Sequence, residues 1–315
     1  MKKYILSRVL FALPTIIGVF IVVFFVVRLI PGDPASAMLG PKATTAQIEQ
    51  YREHHGLNEP VYVQFGVAFK KFIKGDLGQS LSWYRPARDV IMERLPRSAE
   101  LAFFGVLFGT IAALIFGVIA AVYRGRWPDL LLTSFATLGM SLPMFYIGLW
   151  ILVIFAMKLK IIPVISTLGG GVSYWQSLLG PVLALALSES ALLTRTTRSS
   201  MLEVLNEDYI RTARSKGLTE RIVLFKHALG NALIPIVTVV GYSLATVFGG
   251  AIVLETVFAR NGVGKLLVDA IHVRDYPLVQ GTTIVIAILI VLINIVTDIV
   301  YGVVDPRIRV TGEER

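Results

Sequence analysis

The sequence predicts an all-α polytopic membrane protein with six transmembrane helices and both termini on the cytoplasmic side. Three observations carry that prediction. Of 315 residues, 55% are hydrophobic and only 16% charged, against about 25% charge in an average soluble domain. Apolar runs of about 20 residues, the length of a bilayer crossing, recur along the chain, and mean hydropathy is +0.71. The formal net charge of +9 is also unevenly placed. Six spans put both termini on one side, and the inner segments then hold about fifteen Lys and Arg against about five in the short outer loops, as the positive-inside rule requires. The basic excess therefore reads as topology and not as a nucleic-acid footprint. The chain contains no cysteine, which excludes disulfide frameworks, thiolate zinc sites, iron–sulfur clusters and cysteine nucleophiles.

The first span covers residues 10–30, after Lys2, Lys3 and Arg8. Its charged start and the later Ala35-Ser36-Ala37 imitate a signal peptide. The apolar core is nearer ~20 residues than the usual 7–15, however, and Arg28, Pro31 and Asp33 precede the alanines, so it is expected to stay as a span. The second span, 99–122, ends before Arg124-Gly125-Arg126. The third, 130–157, contains Pro143, which removes a backbone hydrogen bond and should kink it. The fourth, 178–194, carries Glu189 and two serines; the fifth and sixth are 232–258 and 278–304. The chain thus divides into an N-terminus with first span (1–30), an extracytoplasmic segment (31–97), a five-span core (98–304) and a cytoplasmic tail (305–315).

Within the extracytoplasmic segment, Thr44 or Thr45 followed by Gln47 and Glu49 reads as a capped helix start. Residues 61–72 show helical apolar spacing and are expected to lie against the membrane surface. Gly75-Asp76-Leu77-Gly78 reads as a turn. A cap over a pathway mouth, a dock for an external partner and a passive lid all fit this segment.

The inner loop 195–231 is the most informative stretch. A short helix is expected there, with Asn206 as its N-cap, Glu207 and Asp208 in the first turn, Arg214 and Lys216 in the last, and Gly217 as its stop. At ~1.5 Å per residue it spans only about 15 Å, too short to cross a bilayer. Tyr209, Ile210 and Ala213 share a face flanked by Arg211 and Thr212, which suits insertion into a partner's groove. Attraction of Arg211, Arg214, Lys216 and Arg221 to an anionic leaflet fits equally well. A second helix runs from Thr219-Glu220 to Leu229, with a break at Gly230-Asn231 and Pro235 in the first turns of span five.

At this loop the sequence resembles a known family. Glu207-Asp208-Tyr209-Ile210-Arg211-Thr212-Ala213-Arg214-Ser215-Lys216-Gly217 is similar to the EAA loop of ABC importer permeases, in the form used by the oligopeptide, dipeptide and nickel branch. Threonine at the first alanine position and the long gap to Pro235 are usual in that branch. Ile30-Pro31-Gly32-Asp33-Pro34, Gly75-Asp76-Leu77-Gly78, Arg198-Ser199-Ser200-Met201, His227-Ala228-Leu229, Asn231-Ala232, Arg274-Asp275-Tyr276-Pro277 and Asp305-Pro306-Arg307-Ile308-Arg309 extend the resemblance over the whole chain. The resemblance implies a type I importer permease fold in the bacterial inner membrane. It also implies a second, homologous permease, two cytoplasmic ATPases and an extracytoplasmic solute-binding protein as partners. Glu207, Asp208, Tyr209, Ile210, Arg211, Thr212, Ala213, Lys216 and Gly217 would form the coupling helix seated on one ATPase. The cargo implied is a di- or oligopeptide or a related small solute, with nickel chelates, glutathione and opines carried on the same scaffold.

The chain itself should hold no cofactor and perform no catalysis, with ATP and magnesium belonging to the partner ATPases. A phosphate-binding loop needs spaced glycines followed by Lys-Ser/Thr; Gly262-Val263-Gly264-Lys265-Leu266 lacks the hydroxyl and most of the spacing. No metal site is expected, since the adjacent His54 and His55 do not converge on one helix face. An ion-coupled secondary transporter would call for inverted repeats and paired midplane charges, and an intramembrane hydrolase for a nucleophile–base pair. Inside the membrane, Glu189 with Ser188 and Ser190 forms a polar patch that either lines the pathway or meets the second permease. Glu255, near an outer end, is a candidate for an outer gate, and Arg28 is placed to snorkel. The Gly105/Gly109 and Gly249/Gly250 pairs permit close helix packing.

Overall fold

The computed structural model describes residues 2–29, 33–40, 42–54, 56–165 and 173–304. The Ile30-Pro31-Gly32 part of one motif, His55 and the tail 305–315 lie outside the described residues. Among the described residues the structure is helical, with a single isolated β-bridge between Gln79 and Pro86. Among the described residues, five helices are long and apolar enough to cross a membrane, and six if one bent pair is counted as a span. The chain forms two compact units, 1–8, 99–260 and 292–315 in the first, and 9–98 and 261–291 in the second.

The first unit is built around α8 (Tyr174–Leu205), against which α6 (Trp127–Ser141), α7 (Met144–Ile151) and α11 (Leu229–Val257) pack. The fourth span, expected over 178–194, is therefore part of a much longer helix. Its start is fixed by Ser173, whose N–H donates to Gln176 Oε1 at 3.1 Å. It runs past Thr194 because Thr197, Ser200 and Met201 are buried and because Arg198 is paired. Arg198 Nε and Nη2 donate to Asp129 Oδ1 and Oδ2 at 2.5 and 2.7 Å, and Asp129 also accepts from Thr133 Oγ1 and the Gly125 N–H. Arg198, which reads as part of an exit from the bilayer, thus bolts α8 to the first turn of α6.

Three glycines of α5 (Ala87–Val122) face α8. The tightest against backbone is Gly117: an added Cβ would sit 2.4 Å from Thr197 Cβ and 2.9 Å from the Thr194 carbonyl. Gly117→Ala should cost about 1–3 kcal/mol through forced separation of the helices, measurable as a lower melting temperature of the detergent-solubilised protein. An unchanged melting temperature would show that α5 and α8 can part without loss. Of the other expected pair, a Cβ added at Gly250 would lie 2.9 Å from Met144 Sδ, whereas one added at Gly249 would meet nothing within 4 Å.

The third span departs most from expectation. Pro143 does not merely kink it: α6 and α7 meet at 109°. Leu142, the residue before proline, is extended (φ −91°, ψ 132°), and Pro143 becomes the N-cap of α7; proline's Cδ disfavours the helical conformation in its predecessor. Beyond Ile151 the helix continues as a π-helix, Leu152–Lys158.

In the second unit, α1 (Lys2–Leu29), the N-terminal part of α5, α12 (Val263–His272) and α13 (Tyr276–Val304) contribute to one apolar cluster around Val23, Ile91, Leu266 and Leu278. The expected Thr44 cap is present at α3 (Thr45–His54), with Thr44 N–H on Gln47 Oε1 at 2.9 Å and Gln47 N–H on Thr44 Oγ1 at 3.3 Å. Short α2 (Pro34–Leu39) is capped by Asp33, which also pairs with Arg52. α4 (Val61–Ile73) is the predicted amphipathic helix, and its phenylalanines pack on α1: Phe72 stacks on the Phe20 ring at 4.9 Å, and Phe69 and Phe65 meet it edge-on at 5.5 and 5.7 Å. Part of its apolar surface is thus used in protein packing, while Val61, Tyr62, Val67 and Ile73 stay exposed. Arg28 stays exposed, donating to the Phe24 carbonyl and to Gln64 on α4. Asp275, from the Arg274–Pro277 motif, is fully buried. Its Oδ2 accepts from Ser80 Oγ, Ser82 Oγ and the Leu81 and Ser82 N–H groups at 2.6–3.0 Å, clamping the loop that follows the Gly75–Gly78 turn.

Candidate coupling site

The inner loop folds as α9 (Asp208–Ser215), shorter by a residue at each end than the motif suggested. Asn206 is not its N-cap. It is the C-cap of α8, and Glu207 holds the extended N-cap position (φ −68°, ψ 147°). The longer α8 consumes the residues that were expected to open the next helix. At the other end, Lys216 is the C-cap and Gly217 lies at φ +77°. Leu218 N–H returns to the Ala213 carbonyl (3.4 Å) and Gly217 N–H to the Arg214 carbonyl (2.9 Å). These are the paired bonds of a Schellman stop, which demands the left-handed residue that glycine supplies without steric penalty.

The chain then turns into α10 (Glu220–Ile222), N-capped at Thr219. No break follows. A π-helical turn, Val223–Ala228, leads directly into α11, so Glu220–Val257 is one rod, and Gly230, Asn231 and Pro235 all lie inside it. Proline within the rod lacks the N–H that a helix would use, but the continuous apolar packing of Ala228, Ala232 and Ile236 holds the helix together across it.

The site's side chains divide in a way the sequence did not separate. Ile210 is fully buried and Ala213 nearly so, in a cluster with Ala121, Met201, Val223, Ala228 and Ala232. The face read as ready for a partner's groove is therefore the face by which α9 sits on its own α5, α8 and rod. Glu207, Asp208, Arg211, Thr212, Ser215 and Lys216 are exposed and form what a partner can touch. Tyr209 is about half exposed and accepts a hydrogen bond from Asn231 Nδ2 at 3.0 Å. Arg214 reaches the rod's first turn, with Nη2 and Nε donating to Glu220 Oε1 and Oε2 at 2.7 and 3.3 Å. That hydrogen bond, with Glu220's charge, pushes the Arg214 pKa further up. Two polar ties and an apolar seat thus join α9 to the rod. Asn231 was read as part of a helix break, and only the rod's continuity reveals it as a tie.

The membrane candidates are also dispersed. Ser190 is buried and bonded to its own helix, with Oγ on the Leu187 carbonyl at 2.9 Å. Ser188 and Glu189 are half-buried, and Glu189 accepts a hydrogen bond from Ser243 of α11. Glu255 does not face an opening: it is fully buried and has partners within the chain. The Arg260 N–H also meets the Glu255 carbonyl at 2.8 Å. Among the described residues no group of three His, Asp or Glu is placed to hold a metal ion.

A spanning α-helical core with a short helix held against its rod is the architecture of an ABC importer's membrane subunit. The fold is similar to the methionine ABC transporter MetNI in inward-facing form, with TM-score 0.54 and 18% identity over 69% of this chain and 96% of that one. It is similar to an amino acid ABC transporter to the same degree, with TM-score 0.54 and 14% identity over 68% and 93%.

The chain belongs to the family described as binding-protein-dependent transport system inner membrane component, matching it over residues 113–310 and its N-terminal counterpart over 1–102. It is 39% identical over 309 residues to the glutathione transport system permease protein GsiC of Escherichia coli O6:H1, covering 98% of this chain and 99% of that protein. GsiC of Shigella flexneri serotype 5b and of Escherichia coli K12 are each 38% identical over the same spans. It is a multi-pass inner-membrane permease of an ABC importer, in the peptide-type branch that its loop motif resembles.

Proposed function

We propose that this permease carries a short peptide or peptide-like solute inward, and that α9 transmits closure of partner ATPases to the membrane helices. The observation that carries the second half is the double tie of α9 to an unbroken rod, Tyr209–Asn231 and Arg214–Glu220. A displacement of α9 is handed to α11 without an intervening hinge, as rigid-body gating requires. The partners are a second homologous permease, two cytoplasmic ATPases and an extracytoplasmic solute-binding protein, with residues 195–231 as the cytoplasmic coupling loop and the chain itself non-catalytic and without cofactor. Glutathione, itself a tripeptide, is the first cargo to test, because the relatives at 38–39% identity are named for it.

The test is uptake into liposomes holding the permease with its partner subunits, the binding protein outside and ATP within. ATP-dependent accumulation of glutathione or a dipeptide, unaffected by a protonophore, supports the reading. Uptake that follows a proton gradient and ignores ATP would replace it with an ion-coupled carrier.

A further inference from the structure

In the second unit, a cavity of about 410 Å³ lies among the loop after the Gly75–Gly78 turn, the N-terminal part of α5, α12 and the start of α13. Trp83, Arg94, Asn261, Lys265, Asp269 and Leu278 line it. The volume suits a small ligand, for which sites of roughly 300–1,000 Å³ are usual, but the walls carry charge of both signs.

Arg94 is the group that calls for a ligand. It is half-buried, and among the described residues it makes no hydrogen bond or ion pair. Its guanidinium rests on the Trp83 ring, 5.3 Å from the centroid. The two carboxylates near it are engaged with other cations: Glu93 pairs with Arg85, and Asp269 with Lys265 at 2.5 Å. A guanidinium drawn partly out of water needs an anion to compensate it, and its planar fork of donors matches the oxygens of a phosphate.

The surroundings say where that phosphate comes from. Leu278 opens the apolar run 278–304, so the cavity sits where hydrocarbon gives way to headgroups. Ile271 and Val273, on and just after α12, are exposed apolar residues beside it. Tyr84, next to Trp83, is 91% exposed and held at φ +52°, a conformation that costs a residue with a Cβ. Asp275 keeps the loop in that shape through Ser80 and Ser82. Aromatic rings held outward, apolar side chains at the rim and cations beneath them are the composition of a membrane–water interface. A free anion would have no use for that rim.

We infer that the cavity receives the headgroup of an outer-leaflet phospholipid. Arg94 takes the phosphodiester, Lys265 adds positive charge across the cavity, and Ile271 and Val273 meet the acyl chains. Asp269 takes a headgroup ammonium, so phosphoethanolamine fits better than phosphoglycerol, which brings no cation. The inference rests on the permease reading above, which sets this segment on the extracytoplasmic side.

The test uses the complete complex, purified in detergent and stripped of lipid. It is titrated with phosphatidylethanolamine, phosphatidylglycerol or inorganic phosphate, and bound molecules are counted by native mass spectrometry. Arg94→Gln is expected to weaken binding of one phosphatidylethanolamine per permease roughly tenfold, as loss of a charge-assisted contact does, and Arg94→Lys to restore much of it. Asp269→Asn should shift the preference severalfold toward phosphatidylglycerol. In native membranes, a photo-crosslinking phenylalanine analogue at Val273 should form phospholipid adducts. Lipid binding untouched by Arg94→Gln overturns the proposal, and marks a free-anion site if binding of inorganic phosphate is what that variant loses. Adducts at Val273 with the solute-binding protein and none with lipid also overturn it, making the cavity a protein dock. An unchanged lipid preference in Asp269→Asn removes Asp269 from the site. Failure of the permease reading is seen separately, as absence of ATP-driven uptake by the unsubstituted complex, because lipid binding is counted without transport.

Discussion

Gly217→Val is expected to cut ATP-driven uptake by roughly five- to thirtyfold while the motor subunits continue to hydrolyse ATP. The residue closes the Schellman stop of α9 at φ +77°, where a side chain costs about 1–2 kcal/mol, equivalent to that factor in the population of the correctly turned helix. An added Cβ meets nothing within 4 Å, so the effect is backbone strain and not a clash. Gly217→Asn, which tolerates the left-handed region better, should recover most of the uptake. Measuring uptake and ATPase rate on the same liposomes separates the outcomes. Equal uptake by the valine variant and the parent would remove the turn from the coupling path.

The second large effect concerns stability. Asp129→Ala should destabilise the protein by about 2–4 kcal/mol, toward the lower part of the range for breaking a buried ion pair. The Asp129 side chain is 5% exposed, but Arg198 keeps 27% and can recover some hydration. The loss also strips acceptors from Thr133 and the Gly125 N–H. Thermal unfolding of the solubilised protein should show it, and Asp129→Asn should fall between the two because it keeps an acceptor without the charge. If Asp129→Ala unfolds with the parent, the bolt between α8 and the first turn of α6 contributes nothing. Since Met201 three residues further on lies in the seat of α9, a loosened α8 should also lower coupling.

Much of this architecture is legible in the sequence because the bilayer fixes a length. Runs of about 20 apolar residues locate spans without knowledge of their neighbours, and local chemistry locates the Thr44 cap and the Gly217 stop. What sequence cannot reveal depends on partners distant in the chain. Arg198 reads as a residue leaving the membrane until Asp129, 69 positions away, appears beside it. Asn206 reads as an N-cap because nothing local tells that α8 continues to Leu205. Pro143 announces a disturbance, but whether a helix kinks or turns through 109° is decided by what its halves pack against. In α9, the motif marks the residues and not their directions. Periodicity groups Tyr209 with Ile210 and Ala213, and only the seat formed by α5, α8 and the rod turns the latter two inward.

On the proposed coupling, that inward turn leaves Arg211 and Thr212, and not Ala213, as the residues offered to a partner. The most direct measurement places a photo-crosslinking phenylalanine analogue at Arg211, exposed on α9, in the assembled complex in native membranes. The account predicts an adduct joining one permease to one ATPase subunit, with a yield that changes when ATP and vanadate are added. Adducts with lipid alone, at a yield indifferent to nucleotide, would contradict it and leave α9 as a helix resting on the bilayer.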